Sequence, residues 1–381
     1  MMQTILWPGV TVFGEDAVAQ LGTQVQTLGK SHIFVLIDPG VRSMSDAIDA
    51  AIADTAIQAT YFDDVIGNPD AAHVDAAYAA YQACGADCIV GVGGGSALDM
   101  AKGVKILAGS PDGVSVAEYL STLKEKRRPN PAFHEMPPMV AIPTTSGTGS
   151  EVTPWGVVTD KEAQQKAGVG TNLIPDVALL DPHLTVSLPA HLTAATGMDA
   201  LSHLIEAYVS TNAQKMLDPL ILQGIKLIGD NLRTAVSEPS NIPAREAMLE
   251  ASMLGGVALS SNWLGAAHSL AHQLSTFCDI HHGLACSLML PPQMRWSHSG
   301  APERYAEVAL ALTGQTDIAA ADAVEQLAKD INLPIRLSDC GVTADQIDTL
   351  SEFAFIDLNW WTNPIQPESA ADLKAMYEAA F

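Results

Sequence analysis

Four of the chain's eleven histidines fall within fifteen residues: His268, His272, His281 and His282. A fifth, His203, lies four residues after Asp199 in the stretch GMDALSHLIEAY, which has a helical pattern. That spacing stacks both side chains on one helix face, with Cβ atoms roughly 5–6 Å apart, a reach from which one cation can be held. His268 and His272 repeat the spacing on a Gly/Ala-rich helical stretch. One carboxylate with several imidazoles and no thiolate suits a borderline divalent ion such as Fe²⁺ or Zn²⁺. Taken singly, each histidine reads as a satisfied structural residue. Two i, i+4 pairs plus a His-His-Gly in one helical region favour a metal.

Two glycine-bearing turns suggest a second kind of chemistry. Residues 89–102 read IVGVGGGSALDMAK: an apolar run, a glycine cluster, then a helix opening at Ser96. Backbone amides at such a turn and helix N-terminus bind anions, and the missing side chains let a pyrophosphate approach. The spacing is not the usual dinucleotide fingerprint, and no acidic residue follows about 20 residues later at a strand end. A merely tight strand-to-helix turn therefore stays open. The second turn, IPTTSGTGSE at 142–151, offers the hydroxyls of Thr144, Thr145, Ser146 and Thr148, which suit a ribose, phosphate or carboxamide; a solvated loop is the alternative. Asp38 ends the first strong apolar run. At the edge of a parallel sheet it would accept hydrogen bonds from an adenosine ribose and repel a 2′-phosphate, favouring NAD over NADP. A solvated turn aspartate is the bland alternative.

The elements that must position these residues change character along the chain. HIFVLID (32–38), DCIVGV (87–92) and MVAIP (139–143) read as buried parallel strands. Helical patterns such as 71–84 and 97–108 lie between them, which implies a doubly wound α/β (Rossmann-like) domain over residues 1–185. The stretch 124–138, rich in Pro, Arg and Asn, reads as a surface loop. Beyond about Pro189 the pattern is helical almost throughout (194–210, 216–237, 244–260, 265–277, 302–312, 319–332 and 344–354), so residues 186–381 are expected to form an all-α, metal-binding domain. The boundary falls within DPHLTVSLP, 181–189. A nucleotide-type half and a metal-bearing half fit hydride transfer in a cleft between them.

Composition removes other classes. A formal net charge of −24 over 381 residues works against nucleic acid and anionic membrane surfaces. Five cysteines without paired spacing imply no disulfide framework, and Cys84 and Cys88 read as small buried hydrophobes. The first ten residues have no basic region followed by a long apolar one, and no uncharged apolar run reaches membrane-spanning length. A soluble cytoplasmic protein is the expectation.

Almost end to end, these motifs resemble the iron-containing (group III) alcohol dehydrogenases. The markers are GNPD at 67–70, GVGGGSALDMAK, PTTSGTGSEVT from Pro143, VVTD from Val157, PDVALLDPHLT from Pro175, TGMDALSHLIEAY, and GAAHSLAHQLS…HHG. The resemblance implies a metal held by Asp199, His203, His268 and His282, with His272 near the nicotinamide as the catalytic proton relay. It places the cofactor on Asp38, Asn68, Gly94, Gly95, Ser96, Asp99, Thr144, Thr145, Thr148 and Lys166. It also implies an NAD(H)-dependent alcohol dehydrogenase or aldehyde reductase acting on a small alcohol or aldehyde, and a homodimer. Alternatives on the same fold are a dehydroquinate-synthase-like reaction or a glycerol/diol dehydrogenase.

Departures from the family pattern cluster near the expected substrate pocket. His281 stands where Pro is common, and residues 359–365 read NWWTNPI instead of a Cys-Thr-x-x-Asn-Pro-Arg sequence. Trp155, Trp263, Trp360 and Trp361 fall in segments that border the site by this resemblance. An apolar pocket walled by tryptophan is the expectation, and it would favour neutral primary alcohols with an alkyl or aromatic tail over polyols.

Overall fold

A computed structural model describes residues 5–6, 9–123 and 125–381. The N-terminal stretch read above for targeting signals lies partly outside them, as does Lys124 of the expected surface loop. The chain divides into two compact units. One contains Val186–Phe381 with the short segment Ser146–Gly149; the other runs up to Thr145 and resumes over Ser150–Thr185.

In the second of these, six parallel strands form a sheet in the order β1-β8-β5-β4-β2-β3. They are β1 (Val10–Phe13), β2 (His32–Ile37), β3 (Gln58–Phe62), β4 (Cys88–Gly93), β5 (Met139–Pro143) and β8 (Val177–Leu180). A hairpin of β6 (Gly156–Asp160) and β7 (Gln165–Val169) stands apart from this sheet. Side-chain alternation splits each central strand between two buried faces. Ile33, Val35, Ile37, Val90, Val92 and Ile142 join one apolar cluster, whereas Phe34, Leu36, Ile89, Met139 and Ala141 join the other. Burial on both faces explains why these strands read as unbroken apolar runs.

The helices of this unit are α1 (Leu21–Thr27), α2 (Ser45–Ile52), α3 (Ala71–Cys84) and α4 (Gly95–Ala108). Strands β1, β3 and β8 were not among those expected. They are only four or five residues long, and β3 carries a partly exposed QATYF pattern that gives little periodicity to read. The expected α/β class is found.

The other unit is helical: α5 (Ala190–Val209), α6 (Asp218–Ser237), α7 (Ile242–Asn262), α8 (Ala266–Phe277), α9 (His282–Ser297), α10 (Pro302–Thr313), α11 (Ala320–Asp330), α12 (Ile347–Ile356) and α13 (Ala370–Ala379). Two of these, α9 and α13, lie outside the expected helical stretches. In α9 the reason is Pro291 and Pro292, which sit inside the helix although proline normally ends one. Among the described residues no helix is long and apolar enough to cross a membrane.

Candidate metal centre and nucleotide turn

Three helices deliver the histidine constellation. Asp199 and His203 occupy one face of α5, His268 and His272 one face of α8, and His282 opens α9. Asp199 Oδ1 lies 3.7 Å from His203 Nε2, 3.9 Å from His268 Nε2 and 3.5 Å from His282 Nε2. The Asp199 side chain is only 3% exposed, and among the described residues its Oδ1 finds no hydrogen-bond partner. Burial alone would raise its pKa, but His203, His282 and His268 hold the carboxyl below its ordinary range. Burial pushes His203 down to about 4 and His282 well below its usual value.

A buried, partnerless carboxylate oxygen facing three ring nitrogens is costly to leave so. Donors bound at about 2.0–2.2 Å in a tetrahedral shell stand about 3.4 Å apart, close to the spacings observed. The residues therefore fit a divalent cation.

Second partners fix the rings. His203 Nδ1 meets the carbonyl of Gly147 at 3.2 Å, which leaves Nε2 for the shared site. Gly147 is required there because a Cβ would lie 2.7 Å from the side chain of Thr196. His272 Nδ1 pairs with Asp357 Oδ2 at 2.6 Å, and its ring centroid stands 5.3 Å from that of His282. His281 is the N-cap of α9 and has no ion pair with Asp199.

A sulfur that the sequence reading did not include stands beside the expected donor set. Cys286 is buried one turn after His282, with Sγ 3.6 Å from His282 Nε2 and 3.8 Å from His268 Nε2. Ligand atoms of Asp199, His268, His282 and Cys286 all lie within 4.8 Å of one another. The i, i+4 spacing of His282 and Cys286 was the available signal, hidden because the prolines obscured α9.

The other unit gathers the turn residues. The sheet reverses its winding between β2 and β4: β3 lies beyond β2, while β5 and β8 extend from β4. Ligands of such sheets bind outside the strand C-termini at this reversal, and both Asp38 and the glycine turn stand there. A Cβ on Gly93 would come within 2.9 Å of Asp38 Cβ, and one on Gly94 within 3.2 Å of Thr145 Cγ2. Gly94 caps α4, which begins at Gly95. Asn68 N donates to Ser96 Oγ at 3.3 Å, while Lys166 Nζ pairs with Asn68 Oδ1. Burial pushes Lys166 down to about 8. Thr144 is buried beside this turn at the end of β5, whereas Thr148 belongs to the helical unit.

Lys102 and Ser150 were missed at the sequence level. Buried Lys102 Nζ donates to Ser150 Oγ (2.9 Å), Thr153 Oγ1 (2.8 Å) and the Trp155 carbonyl (2.8 Å), while Ser150 Oγ donates to Asp99 Oδ1 at 2.9 Å. Thus α4 pins the start of the segment that follows the second turn. The GSALDMAK spacing, Asp99 to Lys102, was the signal, since i, i+3 residues share a helix face.

The tryptophans divide. Trp360 is buried, stacked on Phe355 at 5.1 Å, so it fills the core. Trp263 and Trp361 are 56% and 61% exposed, and Trp155 is half-buried. Trp263 also caps α7 at φ 66°, a backbone state that costs a bulky residue roughly 1–3 kcal/mol.

A parallel doubly wound unit and a helical unit with a buried Asp/His cluster are the two parts that the family comparisons match. Family models match twice: "iron-containing alcohol dehydrogenase" over residues 8–182, and the C-terminal part of the same family over 193–381. The chain belongs to this family and is an oxidoreductase, an alcohol dehydrogenase. It is 36% identical to 1,3-propanediol dehydrogenase of Klebsiella pneumoniae, covering 99% of this chain and 98% of that one. Identity to the NAD-dependent methanol dehydrogenase of Bacillus methanolicus is 33%, covering 95% and 96%. The crystal structure of sulfoacetaldehyde reductase from Bifidobacterium kashiwanohense in complex with NAD⁺ is similar, with TM-score 0.89, 32% identity, and 100% and 99% of the two chains covered.

Proposed function

We propose that this alcohol dehydrogenase interconverts a primary alcohol and its aldehyde with NAD(H), using one divalent cation, Fe²⁺ or Zn²⁺, held by Asp199, His203, His268 and His282. The observation that carries this is the buried Asp199 Oδ1, unpartnered and facing three imidazoles. A cation bound there supplies Lewis-acid polarisation of the substrate oxygen.

The chain's own residues do the rest. Asp357 occupies Nδ1 of His272 and leaves Nε2 to take the alcohol proton and pass it on. An imidazole suits that task because one ring nitrogen can accept a proton while the other donates. The glycine turn at 93–95 and the N-terminus of α4 receive the dinucleotide's pyrophosphate. Asn68, Ser96, Asp99, Thr144, Thr145, Thr148 and Lys166 complete the cofactor contacts, and Asp38 takes the ribose. Trp155, Trp263 and Trp361 are the remaining candidates for an apolar substrate wall. A homodimer and a cytoplasmic setting complete the proposal; five free thiols suit a reducing compartment.

His268→Ala tests the reading. Metal content and turnover of NADH with a short aldehyde should both fall to background, while NADH titrates into the variant with unchanged affinity. Normal turnover by the metal-free variant would overturn it.

A further inference from the structure

The metal ligand His268 sits in the first turn of α8, where backbone amides have no helical acceptor. The N-cap is Gly265, which has no side chain to offer. Distant residues cap the helix instead. Ala266 N donates to Asn363 Oδ1 at 3.2 Å, and Ala267 N donates to Glu206 Oε1 at 2.8 Å. Gly265 is required for this arrangement, since a Cβ would stand 2.6 Å from Glu206 Oε1 and 2.9 Å from Asn363 Oδ1.

Glu206 projects from α5, seven residues after Asp199 and three after His203, so one helix face carries all three. It is 1% exposed, and its second oxygen, Oε2, pairs with His268 Nδ1. Among the described residues no lysine or arginine forms an ion pair with it. Its two oxygens face a helix N-terminus and an imidazole nitrogen instead, a setting that suits a carboxylate, whose oxygens act only as acceptors.

We propose that Glu206 is the positioning residue of the metal centre: it keeps the proton of His268 on Nδ1, so that Nε2 is presented to the cation, and it ties the first turn of α8 to α5. This rests on the reading of Asp199, His203, His268 and His282 as the metal set. A glutamine at 206 has one acceptor oxygen for two donors, and its NH₂ would confront an N–H. Gly265→Ala displaces the carboxylate without altering any charge.

The test is competition for Zn²⁺ between a chromophoric chelator and the metal-stripped full-length protein. Wild type should take one equivalent per chain. Glu206→Gln and Gly265→Ala should each bind 10- to 100-fold more weakly, the range typical for loss of such an outer partner, with unchanged circular dichroism and NADH affinity. Variants that bind within twofold of wild type would overturn the role of Glu206 and leave the metal set standing. A wild type that binds no cation would overturn the metal reading and this inference with it. Should either variant fail to fold, ¹⁵N-histidine NMR of the Zn²⁺-loaded wild type decides. Nδ1–H with a metal-bound Nε2 on His268 supports the inference, and the opposite tautomer overturns it.

Discussion

Asp38 is the carboxylate proposed to choose between NAD and NADP. It follows β2 beside the glycine turn and accepts from Gly40 N at 2.7 Å through Oδ1, and among the described residues it forms no ion pair. A 2′-phosphate brought there would meet a fixed negative charge. Asp38→Gly should therefore narrow or reverse the preference for NADH over NADPH, read as the ratio of kcat/KM values. A wild type that prefers NADPH tenfold, about 1.4 kcal/mol, would contradict the assignment. At this scale the sequence is informative only where partners share an element. Asp199 with His203, and His268 with His272, are each four residues apart on one helix. Glu206 and Asp357 were invisible, because they meet His268 and His272 across 62 and 85 residues of chain.

Between elements, contact between α5 and α9 sets the distance from His282 to Asp199. A Cβ on Gly283 would stand 2.3 Å from the Ala195 carbonyl oxygen and 3.3 Å from Asp199 Cβ. Gly283→Ala should push the start of α9 off α5. Overpacking of this kind costs about 1–3 kcal/mol, and the same displacement should lower bound Zn²⁺ below one equivalent. Thermal melting together with metal analysis checks both; a variant with wild-type stability and full occupancy would show that the backbone yields without moving His282. The elements themselves were unevenly legible. Buried central strands and long amphipathic helices announce themselves by period, but α9 is buried nearly all round and interrupted by two prolines, so burial by its neighbours sustains what local propensity does not.

For the whole molecule, the pH dependence of stability should carry the mark of one interior cluster. Burial raises Glu151 from its ordinary 4.5 to about 7, opposed in part by Lys102, and among the described residues Glu151 Oε1 has no hydrogen-bond partner. A carboxyl with a raised folded pKa keeps its proton longer in the native state than in the unfolded one. Its contribution is therefore favourable below about 4.5 and is lost as pH climbs to about 7, by at most roughly 3 kcal/mol. Burial lowers Lys102 to about 8. The opposite sign applies to it, with stability regained as pH rises from about 8 toward its ordinary value. Glu151→Gln should remove most of the decline between pH 4.5 and 7 in urea melts, while the repulsion expected from a net charge of −24 affects wild type and variant alike. Parallel pH curves for the two proteins would refute the effect.

The sequence by itself determined the class of protein. Apolar runs with glycine turns dictate an α/β unit, helix-period patterns dictate an α unit, and motif order along the chain marks the iron-containing alcohol dehydrogenases. Those signals are local, set by a period of two or 3.6 residues and by which residue types tolerate a turn. Tertiary structure alone decided the surroundings of the centre. It put Cys286 beside His268 and His282, assigned Trp360 to the core, and capped α8 with Glu206 and Asn363 instead of a neighbouring side chain. These depend on where helices cross, and a crossing is fixed by packing between residues far apart in the chain, for which a single sequence carries no periodic trace.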